Sequence, residues 1–147
     1  MVKYCLLLVL LDRNSTMDTN YLYRVLRPDE NLAVGINARA PSSARTVEEH
    51  ISKGSYYPSK FISTSKSLEA AKLFASHTKN KPVRIAKIDV TKLQNTHQII
   101  DLTDPDVVDQ YISVGNDFAR NCVKKFEEVL IVGHIPPQCL QLATVVE

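Results

Sequence analysis

Tryptophan is absent from this chain of 147 residues, and glycine occurs only four times. So little glycine excludes a Gly-rich tract, and no internal repeat, low-complexity stretch or linker is visible. Cysteine is scarce as well. Cys5, Cys122 and Cys139 make an odd count with no C-x-x-C spacing, which speaks against a disulfide framework and against a zinc site. The expectation is three reduced thiols in a cytoplasmic protein. No sign of charge dominates: 18 basic and 16 acidic residues leave a net +2, and the basic residues are scattered along the sequence. Extended nucleic-acid binders concentrate basic charge, so tight DNA binding is disfavoured, while a small anionic ligand is compatible. Long apolar runs are missing too. Tyr4 to Leu11, behind the single Lys3, is too short to span a membrane. No small-x-small cleavage site follows before Asp12 and Arg13. That run reads as a buried strand or short helix over the core, with a signal peptide of a secreted protein as the lesser alternative.

What is present fits one folded domain over residues 1–147, with residues 1–20 as an N-terminal extension. The apolar share is 44% and the charged share 23%, ordinary for a soluble domain. Tyr21–Leu26, Lys60–Ser63, Val83–Val90, Ile99–Leu102, Glu128–Gly133 and Leu140–Val146 read as strands. Thr46 with Glu49 forms a capping box that opens a short helix to about Ser52, and Gly54 stops it. Ser67 caps a helix to about His77, with Leu68, Ala71, Phe74 and Ala75 on one face. Asp104-Pro105 starts another, which helical spacing carries from Val107 to Cys122, with a bend at Gly115. Residues 30–43 read as a long loop. Six strands and three helices in mixed order predict an α+β domain with mixed or antiparallel sheets.

Three pieces carry chemistry. Arg24 is a single charge inside an apolar strand, where a guanidinium can hold a phosphate or carboxylate bidentately. Phe61-Ile62-Ser63-Thr64-Ser65 runs from strand residues into three hydroxyls, small enough to orient a carboxylate or touch a ribose. Phe126-Glu127-Glu128-Val129-Leu130-Ile131 places a carboxylate at the mouth of an apolar strand, where it can stabilise a developing cation. Each alone has a plainer reading: a solvent-facing Arg, a strand end leading into a cap, a solvated pair of acids.

Taken together, Arg24, Ser63-Thr64-Ser65 and Glu128-Val129-Leu130, in that order, resemble the Arg–Ser–Glu, cholera-toxin-like class of ADP-ribosyltransferases. The run Glu128 to Pro137 resembles the pierisin-like branch, which modifies guanine. The resemblance covers most of residues 21–146. It implies an ADP-ribosyltransferase-like fold, with two packed sheets and an NAD+ cleft between them. Arg24 would hold the NAD+ phosphates, and the backbone after it, at Val25, would meet the nicotinamide amide. Ser63 would position Glu128 and contact the nicotinamide ribose. Thr64 and Ser65 would support the cleft wall, and Glu128 would accept from the ribose 2′-hydroxyl. NAD+ would be a substrate, and the reaction needs no metal.

One position departs from that family. Two residues before the catalytic glutamate its members generally carry Glu or Gln; here the residue is Phe126, which cannot take a proton from arginine. Its ring could stack on a planar base instead, or serve as a core anchor. Glu127 is the other candidate for acceptor contacts, although strand alternation turns it away from Glu128. Weaker candidates are Phe74, Tyr56, Tyr57 and Arg27 at the cleft; His50 and His134 read as structural or solvated. The expected activity is mono-ADP-ribosyl transfer to a guanine base, with a free guanine nucleotide favoured over DNA, by a monomer with no membrane partner. The alternatives are transfer to a non-arginine protein side chain, NAD+ hydrolysis, and a catalytically dead nucleotide-binding module.

Overall fold

A computed structural model of the chain describes residues 19–54, 57–93 and 96–147. The Tyr4–Leu11 run, most of the N-terminal extension, Cys5 and Tyr56 lie outside them. The described chain is α+β: eight strands and four α-helices. The strands are β1 (Tyr21–Val25), β2 (Ile36–Asn37), β3 (Phe61–Ser65), β4 (Val83–Asp89), β5 (Ile99–Asp101), β6 (Glu128–Val132), β7 (His134–Ile135) and β8 (Leu140–Val146). The helices are α1 (Val47–Lys53), α2 (Leu68–Ser76), α3 (Pro105–Tyr111) and α4 (Asp117–Lys125).

Six strands form one sheet in the order β5-β6-β3-β1-β4-β8, and β2 pairs with β7 in a second. Every pairing among the described residues is antiparallel, so of the mixed and antiparallel sheets that the sequence allowed, they form the antiparallel one. Alternation along the strands sorts the large sheet into two faces. Leu22, Ile62, Val129 and Ile131 face a core that Ile36 and Ile135 of the small sheet help to close. The opposite face carries two separate clusters. Val47 of α1 and Ala119 and Val123 of α4 cover Phe61 and Leu130, while Ala71 and Ala75 of α2 cover Val83 and Ile85. Each fully buried Leu, Ile or Val here contributes about 1.5–3 kcal/mol through removal of apolar surface from water. The helices leave a trough between the two clusters, so the open cleft lies on the helix side of the large sheet and not between the two sheets, where it was expected; that space is filled by core side chains.

Local signals explain most boundaries. Thr46 Oγ1 accepts from Glu49 N–H at 3.1 Å, and the Glu49 carboxylate accepts from Thr46 N–H at 3.2 Å, the reciprocal capping box. Ser67 caps α2, and Asp104 followed by Pro105 opens α3. Two expectations are corrected. The helix expected from Pro105 to Cys122 is two helices. Ile112 turns extended, and Asn116 begins α4 by accepting from Ala119 N–H while its amide donates to Glu48 at 2.7 Å. The loop expected over residues 30–43 contains β2. Gly35, at φ +89°, allows that strand to approach β7: a Cβ there would sit 2.6 Å from the Ile135 carbonyl oxygen.

Candidate active site

The floor of the trough is a cross-strand row. Tyr23 pairs with Ser65, and Ser65 with Glu128, so these three side chains share a face, with Ser63 diagonal to Glu128. Tyr23↔Ser65 is the single register pair between β1 and β3. Beyond it the strands part, and Arg24 occupies the gap. Its Nη1 donates to the Ser63 carbonyl at 2.8 Å, replacing a ladder bond by a side-chain bond.

Glu30 makes the burial of Arg24 tolerable. The two side chains are 8% and 5% exposed, and the guanidinium meets the carboxylate through Nε and Nη2 at 3.1–3.3 Å. Glu30 also accepts from Arg27 N–H at 2.8 Å. A buried charge needs such pairing. Burial still pulls the Arg24 pKa down, against the opposing pull of Glu30. The guanidinium expected to hold phosphate is thus turned largely to Glu30 and to β3.

His50 of α1 is the residue whose place the sequence reading missed. Its Nδ1 lies 2.6 Å from Ser59 Oγ and its Nε2 lies 2.8 Å from Ser63 Oγ. Ser59 Oγ already accepts from Phe61 N–H at 3.2 Å, so its hydroxyl proton goes to Nδ1. The tautomer that satisfies every group carries its proton on Nε2 and donates to Ser63, which frees the Ser63 hydroxyl for Glu128. Burial, and then the charge of Arg24, hold the imidazole neutral with a pKa down at about 4. A signal was available: His50 lies three residues after Val47, on the inward face of its helix. Glu30 had no local signal at all.

At the end of this relay stands Glu128. Burial pushes its pKa up to about 7, against the Ser63 hydrogen bond and the charge of Arg24. Its Oε1 is buried and has no hydrogen-bond partner among the described residues. Such an oxygen is costly unless something binds there. Glu127, the neighbour, adopts φ 47° and precedes the strand. Its carboxylate accepts from the Ser67 hydroxyl at 3.0 Å and its carbonyl from Lys66 N–H at 2.9 Å. That double tie links the start of α2 to the turn that presents Glu128.

The cleft measures about 560 Å³, within the range of small-molecule sites. Tyr23, Arg24, Val25, Arg27, Tyr57, Ser63, Thr64, Ser65, Phe126 and Glu128 all line it. The hydroxyl of Thr64, however, donates to the Val129 carbonyl at 2.6 Å and so holds β3 to β6. Phe126 and Phe74 meet edge to face across the trough, with centroids 5.2 Å apart. Phe74 is 44% exposed; it leaves the apolar face of α2 for the cleft. His134 sits outside, on Asn37 at 2.7 Å. Cys122 lines the cleft and Cys139 is buried in the core; both are free thiols. Among the described residues no group of three His, Cys, Asp or Glu is arranged for a metal, and no helix is long and apolar enough to cross a membrane.

A family profile described as a domain of unknown function, DUF7587, matches residues 36–141. The chain belongs to the DUF7587 family. The stretch that DUF7587 matches takes in His50, Ser63 and Glu128, whereas Arg24 and Glu30 precede it. No curated protein sequence matches the chain. Among solved structures, EcPltA is similar, with a TM-score of 0.57 and 16% identity, over 88% of this chain and 85% of that one. At this identity the likeness speaks for the fold alone.

Proposed function

We propose that this domain is an ADP-ribosyltransferase that cleaves NAD+ and passes ADP-ribose to a guanine base. The observation that carries the reading is the buried, unpartnered Oε1 of Glu128, on the floor of a cleft whose Ser63 and His50 hold one fixed pattern of donors. The order of Arg24, Ser63 and Glu128 along the chain, which resembles that of the ADP-ribosyltransferases, supports it.

Cleavage of the bond between nicotinamide and ribose sends its electron pair to the ring nitrogen and leaves an oxocarbenium-like sugar. Glu128 accepts a hydrogen bond from the ribose 2′-hydroxyl, and that contact strengthens as positive charge grows. Only such a differential gain speeds the step. Ser63 keeps the carboxylate in place and favours its ionised form; His50 and Ser59 keep Ser63 in place. Nicotinamide departs neutral, so no general acid is needed. A nucleophilic nitrogen of the acceptor then donates its lone pair to C1′ and sheds a proton. Phe126 offers no group that could take a proton from arginine, and its ring suits a planar acceptor.

Incubation with NAD+ and guanine nucleotides, followed by mass spectrometry, tests the reading. It is supported by nicotinamide release with ADP-ribose added to the nucleotide. Free ADP-ribose alone would make the domain an NAD+ hydrolase, and unchanged NAD+ would refute the proposal. Glu128→Gln should lower turnover by orders of magnitude and leave NAD+ binding largely intact.

A further inference from the structure

The charges lining the cleft are one-sided. Among the described residues that line it, Arg24, Arg27, Arg39, Lys79, Lys81 and Arg84 face a single carboxylate, Glu128. Several of these cations are already engaged. Arg24 and Arg27 pair with Glu30, and Arg84 donates to the Glu30 carbonyl at 2.7 Å. Arg39 belongs to the opposite side, where its neighbours Ala38 and Ala40 bond to Gly133 and Ser59. Lys79 and Lys81 differ: among the described residues neither has a carboxylate partner. Both lie in the segment after α2, which ends at Ser76, and line the same cleft as the exposed ring of Phe74. The Phe74 and Phe126 rings meet edge to face with centroids 5.2 Å apart, and Lys125 Nζ lies 5.3 Å from the centre of the Phe126 ring.

We infer that this arm of the cleft is an acceptor subsite for a nucleotide, with Phe74 as the platform for its base and Lys79 and Lys81 as the holders of its phosphate. The inference rests on the transferase reading for the role of the bound nucleotide, but the binding itself follows from the arm alone. An exposed aromatic ring and two cations without carboxylate partners, lining one cleft, suit a planar ring that carries phosphate. Two flexible ammonium groups bind phosphate as point charges and impose no single geometry, so the subsite distinguishes nucleotide from nucleoside more strongly than one phosphate ester from another.

Calorimetry on the whole chain with guanosine, 5′-GMP and inorganic phosphate provides the test, beside the Lys79→Ala/Lys81→Ala double variant. Both lysines are exposed, so the variant folds. The wild type should bind GMP about tenfold more tightly than guanosine, as expected for charge-assisted bonds screened by solvent. The variant should reduce that ratio to about two and leave guanosine and NAD+ affinity unchanged. Equal binding of GMP and guanosine by the wild type would overturn the inference. So would a loss of NAD+ affinity in the variant, which would assign the lysines to the diphosphate of NAD+. A parallel assay of nicotinamide release separates the two readings. GMP selectivity without NAD+ cleavage would refute the transferase and leave the nucleotide subsite standing.

Discussion

Ionisation of Glu128 should govern the pH dependence of NAD+ cleavage. In the free protein burial raises this carboxyl from 4.5 to about 7. At about 1.4 kcal/mol per unit, the cleft shifts the balance towards the protonated form by roughly 3 kcal/mol relative to an exposed glutamate. Only the carboxylate can support the developing sugar cation, so kcat/KM should fall about tenfold between pH 8 and pH 6, in step with the ionised fraction. Bound NAD+ brings a cationic ring to the same place. Opposite unit charges about 4 Å apart, at an effective dielectric near 20, attract by about 4 kcal/mol. That is enough to return the carboxyl to its ordinary range, so kcat itself should stay nearly flat from pH 6 to 8. His50, with its pKa down at about 4, adds no inflection in that window. Ser63→Ala should move the kcat/KM inflection to higher pH, because the hydrogen bond that favours the carboxylate is lost. The assay is initial nicotinamide release at subsaturating and saturating NAD+. A kcat/KM that does not change between pH 6 and 8 would refute the reasoning.

Further outcomes follow from other contacts. Glu30→Ala should destabilise the fold by about 3–5 kcal/mol by leaving Arg24 buried without its counter-charge, and replacement of both residues by apolar ones should cost less; urea unfolding decides. Glu127→Gly should be more stable than Glu127→Ala by up to about 1 kcal/mol, since glycine accepts φ 47° without strain, as thermal unfolding can show. The depressed pKa of His50 makes its stability contribution complete above about pH 6.5 and lost as pH falls towards 4. The stability gap between wild type and His50→Gln should therefore narrow over that interval. Phe126→Ala should reduce ADP-ribosyl transfer more than NAD+ hydrolysis; equal losses would mean damage to packing.

Much of the scaffold was legible because it rests on local signals. The strands around Arg24, Ser63 and Glu128 fell where apolar alternation put them, and the caps at Thr46, Ser67 and Asp104 opened the expected helices. The β2–β7 sheet escaped because two-residue strands show no period. The break before α4 escaped because Val107 to Cys122 keeps helical spacing across it, although Asn116 followed by Asp117 carried the start signal. Arg24, Ser63 and Glu128 were recognisable as residue types in order, yet their partners were not. Glu30 reaches Arg24 only through a loop fold, and His50 reaches Ser63 only once α1 packs against the sheet. The convergence of basic residues was hidden for a related reason: Arg24, Arg27, Lys79, Lys81 and Arg84 are scattered along the sequence and line one cleft only once the chain is folded.

The lone Tyr23↔Ser65 pair has a mechanical consequence. Other neighbouring strands of the large sheet share three to six register pairs, so the backbone holds β1 to β3 at fewer points than any other neighbours in it. Beyond that one pair the side chain of Arg24, through its bond to the Ser63 carbonyl, ties the two halves of the sheet together.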